Sequence, residues 1–228
     1  MKRKQIKKYE DLKKLTLNNL IGVTTKDKKY FYKVKQEWDK LDYSLKIQLQ
    51  EKQKIEHSIN VAKLLTILIN KERLRLTDKE LRFYIKCALL HDIKKGEENH
   101  DYKAGEFIKE NIKCKIDTKK YEIIINSILN HSDKLYTHTN NKLGRLIIEA
   151  DLLAKLILPC CIMRKNKEWS NNESIKYHID IVGKYYSDHF PKESLVLQNS
   201  KLISRSAKEI YTKNNIYIIS CKYIKKLL

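Results

Sequence analysis

The chain has 228 residues, with 48 basic against 28 acidic side chains, a formal net charge of +20, only two prolines and five glycines. That length suits one sizeable domain with a full hydrophobic core and small extensions, and the scarcity of turn formers excludes long linker-rich regions. Lys, Leu, Ile and Glu dominate, which reads as mostly helical, and no run reaches the roughly 18 apolar residues of a membrane span.

The charge comes mainly from lysine, since seven of the basic residues are arginine. Proteins that grip phosphates usually recruit the bidentate arginine fork. Nucleic acid is therefore kept as a secondary partner, and a general preference for anionic substrates is the primary reading. The five cysteines, at 87, 114, 160, 161 and 221, are odd in number and form no C-x-x-C pair. No apolar leader opens the chain, so a reducing, cytoplasmic setting with free thiols is expected.

In chain order, residues 1–44 are Lys-rich, with Leu12, Leu15 and Leu20 at roughly helical spacing. The pattern predicts a helix, a loop from Gly22 to Lys29 and a second short element. From Leu45 to about Asn70 the period is helical, through Leu45, Leu49, Ile59, Val61, Leu64, Leu65 and Leu68. Thr77 and Glu80 have capping-box spacing and open a helix that runs into His91-Asp92. His100 starts another through Phe107 and Ile108. Asp117-Thr118 caps the next, which carries Ile123, Ile124 and Ile128 and ends near His131. A polar loop over 133–141 precedes an apolar helix from Asn141 to Leu158, stopped by Pro159. Ser170 and Glu173 repeat the capping spacing before a helix to about Tyr186. Pro191 begins a helix through Leu195, Leu202, Ile203 and Ile210, and the tail over 216–228 fits helix or strand equally. Strand-like alternation is absent elsewhere, so the expected class is all-α. The expected division is a basic N-terminal extension over 1–44, a core domain over 45–190 and a C-terminal helical extension over 191–228 packed on the core.

The organising stretch is Cys87 to Gly96, an apolar helical run ending in His91-Asp92, then Lys94-Lys95 and a glycine. A carboxylate taken out of water must be paired or bind a metal. Other metal-capable side chains sit on apolar helix faces too. Asp151 shares a face with Ile147, Ala154 and Leu158; His57 with Val61, Leu64 and Leu68; His131 with Ile124 and Ile128. Imidazoles with carboxylates suit Fe, Mn, Zn, Co or Ni, and no thiolate is placed to join them. A lone histidine on an apolar face is more often a satisfied core residue; the combination is what carries weight.

The pattern H…HD…D, carried by Glu56-His57-Ser58-Ile59-Asn60-Val61-Ala62, Leu89-Leu90-His91-Asp92 and Ala150-Asp151-Leu152, resembles the HD-domain metal-dependent phosphohydrolase superfamily. The resemblance spans about residues 50 to 158. His100, followed by Ala104-Gly105, and His131-Ser132 resemble the extra elements of its six-ligand, dinuclear subset. The His-Ser-x-x-Val-Ala start and Arg145, shortly before Ala150-Asp151, are similar to the YqeK-like symmetrical bis(5′-nucleosyl)-tetraphosphatases. The paired histidine and Gly-Tyr-Pro motif of the cyclic-di-GMP phosphodiesterase type are missing. Lys94-Lys95 replaces the acidic pair of the (p)ppGpp hydrolase type. Residues 1–44 and roughly the last 60 have no counterpart in the compact subgroup.

The resemblance implies two divalent ions, Fe or Mn, with Zn, Co, Ni or Mg as alternatives. Asp92 would bridge them, His57, His91 and Asp151 would complete one site, and His100 and His131 the other. Paired cations lower the pKa of a shared water and neutralise charge on an attacked phosphorus. Lys95 holds the lysine position of the HD-x-G-K element, with Lys94 in place of Gly. It implies a contact with developing phosphoryl charge; a solvated helix-end lysine is the alternative. Arg145 is either a phosphate clamp or a surface residue. The expected function is a phosphohydrolase of a nucleotide or dinucleoside polyphosphate. The alternatives are a di-iron oxygenase and a nucleic-acid or partner-binding module. The oligomeric state is open, a dimer included.

Overall fold

A computed structural model describes residues 23–52, 54–131, 141–162 and 204–213. The described residues form eight helices and no strand, as the all-α reading requires. They are α1 (Thr25–Asp39), α2 (Tyr43–Glu51), α3 (Ile55–Lys71), α4 (Asp78–Leu90), α5 (His100–Asn111), α6 (Thr118–Leu129), α7 (Lys142–Ile162) and α8 (Arg205–Lys213).

Helix α3 is the axis of the fold. Eleven of its 17 residues are buried, so it meets neighbours on nearly every side. It packs most extensively on α7, then on α4 and α1, while α5 pairs with α6 and α6 lies against α7. Val61, Leu64, Leu65 and Leu68 are fully enclosed. Each such side chain contributes roughly 1.5–3 kcal/mol on burial. Together they offset the cost of enclosing His57 and Asn60 on the same helix.

Polar ties fix the helices around this axis. The buried Glu37 of α1 accepts from Arg82 of α4 at 2.8 Å, and Arg82 Nε donates to Asp78 at 2.6 Å. Lys33 of α1 also reaches Asp78. Tyr84 Oη donates to the Leu143 carbonyl at 2.5 Å and ties α4 to the start of α7. Glu80 closes the Thr77 capping box and accepts from Lys120 of α6 at 2.9 Å. Replacing Thr77 with alanine is therefore expected to cost about 1 kcal/mol, the usual worth of an N-cap. Urea unfolding would read this as a lower midpoint at unchanged slope.

Four expectations need correction. Of the loop expected over Gly22 to Lys29, residues 25–29 are instead the first turns of α1. Thr24 Oγ1 accepts from the Asp27 amide at 3.2 Å, and Asp27 accepts from the Thr24 amide at 2.9 Å, a capping box with Asp in the acidic position. The helical period from Leu45 to Asn70 is broken around Lys52 and Lys54 into α2 and α3. Pro159 does not stop α7, which runs to Ile162. A proline removes one ladder hydrogen bond near the end of a 21-residue helix, and only the final residues depend on it. Of the helix expected from Pro191 through Ile210, residues 191–203 lie outside the described residues, Ser204 is not helical, and α8 starts at Arg205, where Ser204 Oγ accepts from the Ala207 amide at 3.2 Å. The expected helix around Leu12 to Leu20, the loop over 133–140, the Ser170–Glu173 cap and the tail lie outside the described residues.

Segments beyond the helical core join it. Val34, Leu41, Leu45 and Leu49 on one side, and Ala207 and Ile210 on the other, belong to the same buried cluster as α3 and α7. Helix α8 docks by its N-terminus: the Ser204 amide donates to the buried Glu149 of α7 at 2.5 Å, and the Ser206 amide donates to Glu72 at 3.2 Å.

Candidate metal centre

Local chain geometry delivers each ligand-type side chain to one point. His91 is the C-cap of α4, and Asp92 opens the turn that follows. That turn reverses at Gly96 (φ 92°) and Asn99 (φ 51°), left-handed conformations that Gly and Asn adopt at least cost. The reversal starts α5 with His100. His131 stands two residues beyond α6, His57 in the first turn of α3, and Asp151 midway along α7.

The helix ends also set the tautomers. His91 Nδ1 lies 2.8 Å from the Ala88 carbonyl, and His131 Nδ1 lies 2.8 Å from the Ile128 carbonyl. Carbonyls in a last helical turn lack helical donors, so each accepts from the ring. A carbonyl only accepts, so Nδ1 carries the proton and Nε2 presents its lone pair.

These lone pairs converge. His57 Nε2 is 3.0 Å from Asp151 Oδ1 and 3.6 Å from Asp92 Oδ2. His91 Nε2 is 3.6 Å from Asp151 Oδ1 and 3.8 Å from Asp92 Oδ2. His100 Nε2 and His131 Nε2 each lie 3.6 Å from Asp92 Oδ1. Two donors about 2.1 Å from one ion stand about 3.0 Å apart at a right angle and about 3.4 Å apart in a tetrahedron. The observed separations run from 3.0 Å, at the lower end of that range, to 3.8 Å, a few tenths of an ångström beyond it. Two triads, His57–His91–Asp151 and His91–Asp92–His131, bring their ligand atoms within 4.8 Å of one another.

The hydrogen-bond accounting points the same way. His57 Nε2, His91 Nε2, His131 Nε2 and both oxygens of Asp92 are buried without an aligned hydrogen bond among the described residues. Buried polar atoms are normally satisfied. Five in one place, all facing one another, fit a group of opposite charge that they would share. The donor set of imidazole nitrogen and carboxylate oxygen is that of a divalent transition metal.

The electrostatics agree. Burial alone would raise the Asp92 pKa, but His91 and His131 hold it well below the usual carboxylate range, so the carboxylate is ionised. Burial lowers the pKa of His57 against the pull of Asp151. Burial opposes a proton on His91 too, yet Asp92 and Asp151 raise it above its ordinary value. Below that raised value His91 carries a second proton, on Nε2, which a cation entering here must displace. Affinity for Mn²⁺ is therefore expected to rise with pH through that raised value, approaching about tenfold per pH unit while one proton is released. Titration calorimetry in two buffers of different ionisation enthalpy measures the proton count. A pH-independent affinity contradicts it.

All six ligand-type residues singled out from sequence thus meet in one cluster. Lys95 joins its rim, with Nζ 3.5 Å from Asp92 Oδ1. Arg145 is half-buried on α7, six residues before Asp151. Sequence reasoning missed Lys54, whose Nζ is 3.9 Å from Asp92 Oδ2. Its signal was available: it precedes His57 by three residues, a spacing that puts side chains on one face. Cys87 and Cys114 are free thiols, and burial pushes that of Cys87 up, away from reactivity. Among the described residues no helix is long and apolar enough to cross a membrane.

Along the chain the histidines and aspartates of the cluster include the order His57, His91-Asp92, Asp151. The model of the HD domain family, whose members are generally metal-dependent hydrolases, matches residues 55–156, from the start of α3 into α7. No curated protein and no solved structure matches the chain.

Proposed function

We propose that this protein is a metal-dependent phosphohydrolase acting on a nucleotide or dinucleoside polyphosphate. The observation that carries the reading is the convergence of four imidazole nitrogens on the two oxygens of Asp92, none of His57, His91 and His131 having an aligned hydrogen bond at Nε2. His57, His91, Asp92 and Asp151 would hold one ion, and Asp92, His100 and His131 a second, with Fe or Mn as the first choice. Bound there, divalent ions supply Lewis acidity toward a phosphoryl oxygen and a lowered pKa for a coordinated water.

The protein's own groups do the rest. Lys54 and Lys95, each about 30 % exposed, lie near different oxygens of Asp92 and would orient an anionic phosphate. Lys95 would meet charge as it develops on the phosphoryl oxygens. Arg145 would clamp a further phosphate. The excess of lysine in the sequence favours an anionic substrate.

The test is a turnover screen with Mn- or Fe-loaded protein over mononucleotides, dinucleoside polyphosphates and inorganic pyrophosphate. Release of phosphate or of a nucleotide is the expected result. Fully metal-loaded protein that hydrolyses none of the panel would overturn the reading. Oxygen consumption by the reduced, iron-loaded protein would replace it with an oxygenase.

A further inference from the structure

The two halves of the cluster are not equivalent. On the His57–His91–Asp151 side, Nε2 of His57 and Nε2 of His91 have no aligned hydrogen bond among the described residues. On the other side, the Lys95 ammonium donates to His100 Nε2 at 2.9 Å and lies 3.5 Å from Asp92 Oδ1. Those two atoms, with His131 Nε2 3.6 Å from Asp92 Oδ1, are the donors a second ion would use.

A neutral imidazole has a single lone pair on its unprotonated nitrogen. While His100 accepts from Lys95, that lone pair is not free to coordinate. The ammonium also places a like charge beside any cation entering that half. Its backbone is held in place: Lys52 Nζ donates to the Lys95 carbonyl at 2.8 Å and ties the turn after Asp92 to the end of α2. The Lys95 side chain is 29 % exposed, so its head can reach an anion arriving from solvent without rebuilding the turn.

Building on the metal-dependent reading above, we propose that Lys95 acts as a resident cation in the second half of the site. The protein then holds one divalent ion tightly and takes a second only when a phosphoryl group draws the ammonium off His100. A phosphate oxygen is a charged acceptor and competes well with a neutral imidazole for an ammonium. The move restores the His100 lone pair and removes the like charge in one step. Second-ion binding and phosphate binding are therefore positively coupled, and each strengthens the other by the same factor.

The experiment is Mn²⁺ titration of the metal-free full-length protein, by calorimetry and by electron paramagnetic resonance, with and without inorganic phosphate. Wild type, Lys95→Met and His100→Ala are compared. Wild type is expected to bind one ion, and a second at least about tenfold more weakly, within the usual range of coupled sites. Phosphate, or Lys95→Met, should bring the second ion close to the first and produce a spin-coupled pair signal. His100→Ala should keep the first ion and lose the second under every condition. Two equally tight ions in phosphate-free wild type would overturn the proposal. So would a second affinity that neither phosphate nor Lys95→Met raises. A rise with Lys95→Met alone would keep the competition and overturn the phosphate coupling. Absence of any tight ion in all three proteins would instead sink the metal reading itself. The phosphate comparison uses wild type only, so the proposal stays testable if Lys95→Met does not fold.

Discussion

Asp92→Ala is expected to strip the protein of tightly bound divalent metal and to lower turnover by more than about a thousandfold. Losing one hydrogen-bond donor to a transition state already costs about 10²–10³ in rate. Asp92 does more than one donor does. Its Oδ1 faces His100, His131 and Lys95, and its Oδ2 faces His57, His91 and Lys54, all within 3.9 Å. Removing it leaves four imidazoles and two ammonium groups with Asp151 as the remaining carboxylate of the cluster, and no shared anion between the two halves. The fold does not depend on that side chain, because the turn is held by backbone bonds such as Lys95 N–H to the Asp92 carbonyl at 2.9 Å. Thermal unfolding separates the effects. Wild type should gain about 2.7 kcal/mol at a metal concentration a hundred times its dissociation constant. The variant should gain nothing. An Asp92→Ala protein that still carries its metals would remove the basis of the proposed site.

Most of the ligand set was legible because those members interrupt an apolar stripe. His57, His131 and Asp151 stand where periodicity calls for an aliphatic side chain, and all three are 5 % exposed or less. Such a position is costly unless something compensates it, so the exception is the signal. His100 starts a helix behind a charged loop and sits on no buried stripe; only the family pattern pointed to it. Lys54 and Lys52 were overlooked because lysines are abundant here and most are solvated. Among the lysines, nothing in residue type sets apart Lys54, which reaches Asp92, or Lys52, which reaches the Lys95 carbonyl. What distinguishes them is the break between α2 and α3, and that break contains no Gly or Pro. Leu49 and Val61 are fully buried on either side of it.

Element ends show the same division. Thr77 to Glu80 was found because it has the usual Ser/Thr-x-x-Glu form. Thr24 to Asp27 does the same work with a shorter acid, and the Asp27 Oδ1 also accepts from Asn70 of α3 at 3.3 Å. That second bond is long-range, so a local pattern could not have revealed it. Helix α8 depends even more on distant partners. Its anchors, Glu149 and Glu72, are 55 and 134 residues away from Ser204 and Ser206. The anchoring carboxylate Glu149 is two residues from Asp151, so a segment outside the HD match braces the helix that carries a proposed ligand.

Gly105→Ala is expected to cost about 1–2 kcal/mol and to weaken the second half of the site more than the first. An alanine normally gains up to about 1 kcal/mol over glycine inside a helix. Here the new Cβ would stand 2.4 Å from Leu129 Cδ2, 2.6 Å from its Cγ and 3.2 Å from its backbone nitrogen. The leucine head can rotate away, but the nearby backbone of α6 cannot without moving the helix. Overpacking of this kind costs about 1–3 kcal/mol, which outweighs the propensity gain. Helix α5 carries His100 and α6 delivers His131, so separating them pulls apart the two imidazoles that face Asp92 Oδ1. His57 and Asp151 sit on α3 and α7 and should keep their 3.0 Å contact. Adding Leu129→Ala removes the obstructing head, so the double variant should recover part of the lost stability, giving a favourable interaction term in a double-mutant cycle. It should also restore second-ion affinity in the Mn²⁺ titration. If Gly105→Ala is as stable as wild type and binds both ions unchanged, α5 and α6 are not held by this contact, and the close approach does not set the spacing of His100 and His131.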